Sequence, residues 1–260
     1  RFADAGVRDM VRRALLPWYN AFSFLRTYAA IDNWSPDKGL HAGDNVLDQW
    51  LLSRLQTLKS TVATEMEAYR LYNVVPQLFG FIEDLTNWYI RLNRGRFWGE
   101  DITPDKIAAY STLYDVLLEL SKLMAPFAPF LSEHLYQQLE TLADRPASPS
   151  SVHLCDYPLS EADQIRPNLE VAVDRMQQVI LLGRQKREEV KIGLRTPLAK
   201  LTIIHRDEGM LQDMRSLEGY LRDELNVMAI DYSTDEAGYI DLQAKPNFPL
   251  LGKRLGKRMK

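Results

Sequence analysis

Leu85-Thr-Asn-Trp-Tyr-Ile-Arg-Leu-Asn-Arg-Gly-Arg-Phe-Trp98 places two tryptophans, a tyrosine and three arginines at the end of an apolar-periodic helix. Upstream, Leu78, Ile82, Leu85 and Tyr89 recur at helical spacing, and Gly95 and Gly99 are placed to end the helix. Two readings fit the stretch. Arginine stems and tryptophan rings line ordinary helix ends. The same mixture also suits a surface that grips nucleic acid, because a guanidinium meets phosphate as a rigid fork and aromatic planes stack on bases.

The segments on either side are helical too. Val7, Val11, Ala14, Leu15, Trp18, Phe22, Leu25 and Ala29 form one stripe, with Pro17 inside it expected to kink or interrupt the helix. Residues 32–44 hold Asn33, Ser35, Pro36, Gly39 and Gly43 and read as a loop. Asp44 or Asn45 can cap a second helix whose buried face is Leu47, Leu51, Leu55, Leu58 and Val62. A break is expected near Tyr72-Asn73, because Pro76 suits only the first turn of a helix. Thr103-Pro104 is a cap followed by proline at the first helical position, and Ile107, Leu113, Tyr114, Leu117, Leu120 and Met124 follow. After Pro126 and Pro129 a last helix runs through Leu131, Leu135 and Leu139.

Residues 1–143 therefore read as an antiparallel helix bundle. Residues 144–164 begin with Asp144-Arg-Pro-Ala-Ser-Pro-Ser-Ser151 and read as a linker. In residues 165–260 the pattern changes to a helix over 167–190, a strand over 198–205, a helix over 210–225 and strands over 227–232 and 239–244. The fold class is mainly α, a bundle followed by a small α+β module.

Composition sets the class. The chain has 260 residues, 46% hydrophobic and 26% charged, which suits a globular protein with one or two domains. No apolar run is long enough for a membrane span, and no secretory signal is visible. The chain opens at Arg1-Phe2 without Met and closes within the basic phrase Lys257-Arg-Met-Lys260, so it reads as a piece of something longer. One cysteine, Cys155, excludes an intrachain disulfide and a multi-cysteine zinc site, and the four histidines lack metal-site spacing. Net charge is −3, so the chain as a whole does not announce nucleic acid. Local charge is more suggestive. Arg184, Lys186, Arg187, Lys191, Arg195 and Lys200 share one segment, and the last eight residues hold five cations and no acid.

Catalytic signatures are missing. The sequence has no glycine-rich phosphate loop and no Gly-x-Ser-x-Gly elbow. The acids Glu65, Glu67, Glu83, Asp84, Glu188 and Glu189 sit at spacings of solvated helix faces or ion pairs rather than paired catalytic carboxylates. No catalytic residue and no metal ligand is assigned.

Several phrases resemble class I isoleucyl-tRNA synthetases. Leu15-Leu-Pro-Trp-Tyr-Asn-Ala-Phe22 resembles the entry to their helical domain, and Leu47-Asp-Gln-Trp-Leu-Leu-Ser-Arg-Leu55 the start of its next helix. The stretch from Asp84 to Trp98 looks like their tRNA-facing helix end. Leu123-Met-Ala-Pro-Phe-Ala-Pro-Phe-Leu-Ser-Glu-His134 is similar to a phrase shared with the valyl and leucyl enzymes. Lys191-Ile-Gly-Leu-Arg-Thr-Pro-Leu198 and Lys245-Pro-Asn-Phe-Pro-Leu-Leu-Gly-Lys253 resemble the region beyond the bundle.

The resemblance implies an anticodon-binding bundle and the start of a junction domain. It implies tRNA-Ile as partner, no DNA or membrane role, a monomer and a cytoplasmic location. The family's His-x-Gly-His and Lys-Met-Ser-Lys-Ser signatures are absent, and His41-Ala-Gly-Asp44 is not a match. So is the editing domain. The implied enzyme joins isoleucine to tRNA with ATP and magnesium, but this stretch alone is expected to be inactive and to hold no cofactor. Trp88, Arg91, Asn93, Arg94, Arg96 and Trp98 are the expected tRNA-facing residues, extended by Lys186, Arg187, Lys191 and Arg195. Trp88 can equally belong to the core stripe with Leu85, whereas Arg94 and Arg96, at a helix end, have few reasons to turn inward. The same region of a valyl enzyme, or a helical scaffold without an RNA role, are the competing readings.

Overall fold

The computed structural model describes residues 4–38, 43–143 and 149–238. The expected strand over 239–244, the C-terminal basic run, His41 and residues 144–148 of the expected linker lie outside them. The chain divides into two compact units, Arg1–Gln178 and Val179–Lys260.

The first unit is a helix bundle. Helix α1 (Asp4–Met10) passes through a π turn, Val11–Leu15, into α2 (Leu16–Ile31). The wider π turn lies just ahead of Pro17, which has no N–H to donate back, and the helix continues through it. Helices α3 (Val46–Glu67), α4 (Leu71–Glu83), α5 (Arg94–Trp98), α6 (Pro104–Met124) and α7 (Pro129–Leu142) follow. Asn45 caps α3, accepting from Leu47 N at 2.9 Å, and Thr103 caps α6, accepting from Lys106 N at 3.1 Å. The α3–α4 break falls at Tyr69, earlier than the expected Tyr72-Asn73. Tyr69 takes the left-handed conformation, and Arg70 N bonds to Glu65 O in a Schellman-type stop. Pro76 then sits inside α4.

Helix α6 is the centre of the bundle, packing against α2, α3 and α7. It is buried nearly all round, from Ala108 and Tyr110 to Leu123, as a helix enclosed by others must be. The stripe Leu47, Leu51, Leu55, Leu58 and Val62 is buried as its period predicts. Trp18, Phe22 and Leu25 are buried as well, but Val7 and Val11 at the head of that stripe are exposed.

Residues 149–164 are strapped to the bundle instead of hanging free as a linker. Tyr136 Oη donates to Pro149 O at 2.9 Å, and Glu133 accepts from Ser151 Oγ and Val152 N. Gln56 holds Ser160 and Glu161, each at 2.9 Å. Helix α8 (Pro167–Glu189) starts in the first unit, where Glu170 accepts from Ser53 and Thr57 and pairs with Arg54. The division between the units therefore falls inside α8, past residues 144–164. Polar composition marked a break there, but those polar groups are the ones that bind the bundle.

In the second unit the end of α8 is followed by β1 (Leu198–Ile204), α9 (Glu208–Ser216), α10 (Glu218–Leu225) and β2 (Val227–Ser233). The single helix expected over 210–225 is two, broken at Leu217. The strands pair in parallel, Leu198 opposite Val227 and Ile204 opposite Ser233, joined through the two helices as parallel strands require. Ile180, Ile203, Leu211, Met214, Leu221, Leu225 and Ile230 form the core. Gly183 lets α8 approach α10, because a Cβ there would stand 2.7 Å from the Leu225 methyls.

Candidate nucleic-acid interface

Helix α4 runs without a break into a second π turn, Asp84–Ile90, which buries Leu85, Trp88, Tyr89 and Ile90. The chain then turns at Asn93. Its Nδ2 donates to Tyr89 O at 2.9 Å, and its Oδ1 accepts from Arg96 Nη1 at 3.1 Å. So Asn93 closes one helix and opens the next.

Helix α5 has five residues, too few to be stable alone, so tertiary contacts must hold it. Two side chains point inward. Phe97 is buried edge-on against Phe24 and Tyr110, with ring centroids 5.0 and 5.3 Å away. Arg96 lays its guanidinium across Asp48, Nη1 to Oδ1 at 2.7 Å and Nη2 to Oδ2 at 2.8 Å. Its Nε and Nη2 also reach Asp105, at 2.8 and 2.7 Å. Asp48 lies in the first turn of α3, is 1% exposed, and accepts a further bond from Tyr89 Oη at 2.8 Å. Burial works against the Arg96 charge, but the bonds to Asp48 and Asp105 outweigh it and hold its pKa above the ordinary value. Burial, then the Asp48 carboxylate, push the Tyr89 phenol well up, so it remains a donor. Just beyond, Lys106 Nζ donates to Gly99 O at 2.7 Å and ties down the end of α5.

The outward face is different. Arg91 and Arg94 are exposed, and Trp98 is 57% exposed. An exposed indole on the same short helix as an exposed arginine offers both a stacking plane and a phosphate-seeking charge.

The expected tRNA-facing set thus separates. Arg91, Arg94 and Trp98 are exposed, Arg94 and Trp98 on α5 and Arg91 just before the Asn93 turn. Trp88, 8% exposed, belongs to the core with Leu85. Asn93 is buried in the turn, and Arg96, its side chain 12% exposed, turns inward because Asp48 offers a buried carboxylate. The expectation that a helix-end arginine has no reason to turn inward fails on that acid. Asp48 and Asp105 escaped notice in the sequence. A signal for Asp48 was present: it sits three and seven residues before Leu51 and Leu55, on an apolar face where an unpaired acid is costly.

In the second unit, Arg187 is 5% exposed and donates to Leu225 O at 3.2 Å, Gly193 O at 2.6 Å and Thr196 O. It fastens the loop after α8 and is not available to a ligand. Arg184 pairs with Glu224, and Lys200 with Asp231. Lys186 is exposed and paired with Glu189 at 2.7 Å. Lys191 and Arg195 are exposed. Lys191 ends α8 in the left-handed conformation, φ 58°, with Ile192 N bonded to Arg187 O at 2.8 Å.

The family description "Anticodon-binding domain of tRNA ligase" matches residues 48–203, from the buried Asp48 into β1. The chain belongs to this family. Within it, the chain is 46% identical over 261 residues to an isoleucine–tRNA ligase of Bdellovibrio bacteriovorus, covering all of this chain and 24% of the relative. It is 41% identical over 273 residues to the cytoplasmic isoleucine–tRNA ligase of Saccharomyces cerevisiae, covering 100% of this chain and 25% of the relative. With the cytoplasmic isoleucine–tRNA ligase of Mus musculus it shares 43% identity over 267 residues, 98% of this chain and 21% of the relative. The chain therefore spans about a quarter of the length of the curated relatives it matches. No helix among the described residues is long and apolar enough to cross a membrane.

Proposed function

We propose that this chain recognises the anticodon stem-loop of tRNA-Ile as part of an isoleucine–tRNA ligase. The observation that carries the reading is α5, a short helix pinned from beneath that turns Arg94 and Trp98 to solvent in an anticodon-binding family member. An anticodon loop is single-stranded, so its bases can stack on Trp98 while Arg91 and Arg94 meet phosphates. Lys191 and Arg195 of the second unit supply phosphate contacts of their own. The isoleucine ligases among its relatives favour tRNA-Ile over tRNA-Val.

The whole protein would join isoleucine to tRNA using ATP and magnesium handled outside these residues, as a monomer in the cytoplasm. The chain itself would do no chemistry. Binding of tRNA-Ile at low and high salt, with tRNA-Val as competitor, tests the proposal. Binding should weaken steeply with salt, because counterions are released from each phosphate contacted. A folded chain that binds no tRNA-Ile at low salt overturns it, and equal competition by tRNA-Val overturns the choice of isoleucine.

A further inference from the structure

We infer that Asp48, on α3, is a positioning residue for RNA binding: through Arg96 it sets the orientation in which α5 presents Arg94 and Trp98. The inference rests on the interface proposed above and adds a residue that never touches the ligand.

Four observations support it. First, α5 is one turn and a fraction long, so its order and rotation come from its anchors. Second, the two inward side chains of α5 anchor it in different ways. Phe97 is held by ring contacts with Phe24 and Tyr110, which tolerate sliding and rotation. Arg96 is held by planar forks, to Asp48 at 2.7 and 2.8 Å and to Asp105 at 2.8 and 2.7 Å, which fix direction as well as distance; of the two acids Asp48 is the buried one. Third, Asp48 is itself held in place. It is 1% exposed on a capped helix and takes a third bond from Tyr89 Oη. Fourth, Arg96 and Trp98 are two residues apart on one turn, so rotating the turn carries the indole with the guanidinium.

Asp48→Asn suits the test. Asparagine has nearly the same shape and keeps an acceptor for Tyr89, and Arg96 keeps Asp105 as its counter-ion. Arg96→Lys is the second variant, retaining charge but not the fork. In the full chain, tRNA-Ile affinity is measured for Asp48→Asn and Arg96→Lys, each in the native background and with Arg94→Ala and Trp98→Ala together. Amide hydrogen exchange at residues 94–99 is followed in the same proteins, with α6 amides as the internal reference.

The inference expects each anchor variant to weaken binding by about tenfold in the native background. It expects little further loss once Arg94 and Trp98 are gone, since nothing remains to be oriented. Exchange should quicken at residues 94–99 ahead of α6. A merely structural role predicts an equal loss in both backgrounds, and that result overturns the inference. So does unchanged affinity of both anchor variants while Arg94→Ala with Trp98→Ala weakens binding, and so does unchanged exchange at 94–99. If removing Arg94 and Trp98 leaves affinity intact, the interface reading itself falls and takes the inference with it.

Discussion

Residues 91–98 and residues 184–195 carry the same sequence signal, clustered cations beside apolar positions, and the two regions resolve it differently. In each, an arginine turns inward while exposed cations lie close by in sequence, and in the second Arg184 also pairs with Glu224. Arg96 meets two carboxylates, Asp48 and Asp105. Among the described residues, Arg187 meets backbone carbonyls, of Leu225, Gly193 and Thr196. The first arrangement balances charge and orients a short helix. The second leaves a buried cation to be stabilised by dipoles, and it pins a loop. A run of arginines thus says little about which of them reaches a ligand; the acceptor each can find decides.

The largest expected effect breaks the first arrangement. Arg96→Ala leaves Asp48 buried without its counter-ion and should cost about 3–5 kcal/mol in urea denaturation. A loss within about 0.5 kcal/mol, the range of an ordinary surface substitution, would show that the fork is not a structural element. Arg187→Ala should cost less, about 2–3 kcal/mol, because neutral carbonyls tolerate a lost donor better than a lone carboxylate does. The loss should appear as faster hydrogen exchange in β1, β2 and α10. A cost equal to that of Arg96→Ala would erase the difference between the regions.

The outward face makes the complementary case. Trp98→Ala should leave stability within about 0.5 kcal/mol and weaken tRNA-Ile binding by about 1–3 kcal/mol, the worth of one stacked base. A large fall in melting temperature with unchanged affinity would move Trp98 to the inward set.

The smallest effect concerns a half-buried acid for which no such fork is seen among the described residues. Asp115, on α6, has its carboxyl pushed up to about 6 from 3.8, by burial first and then by Glu119, with Lys122 opposing. The folded state thus holds the proton more tightly than the unfolded chain. The stability this gives is full below about pH 4 and is lost as pH rises through 6. Asp115→Asn should therefore stabilise the protein at pH 8 by about 1 kcal/mol, less than the full shift implies because the group is partly solvated. At pH 4 it should gain nothing. A gain of the same size at both pH values would show that ionisation of Asp115 is not the cause.

Much of the fold was legible because it rests on local rules. The stripe from Leu47 to Val62, the caps Asn45 and Thr103, and the strands at 198 and 227 follow from periodicity and from side chains that bond their own neighbours in sequence. The errors also have local causes. Tyr69 stops α3 in a left-handed turn that favours glycine, so nothing in its type announced the break. The polar residues 149–164 looked like a tether because composition does not show whether a hydroxyl meets water or Glu133.

By itself, the sequence determined a mainly α bundle followed by a small α+β unit, and the phrases that mark an anticodon-binding domain. Tertiary structure alone decided which residues of 88–98 face out. Arg94 and Arg96 are identical side chains two positions apart, and helix rotation by two residues is enough to send them to opposite faces. What chose the face for Arg96 was Asp48, 48 residues away in sequence. A charge is buried only where a partner waits, and that partner comes into place only when the helices pack.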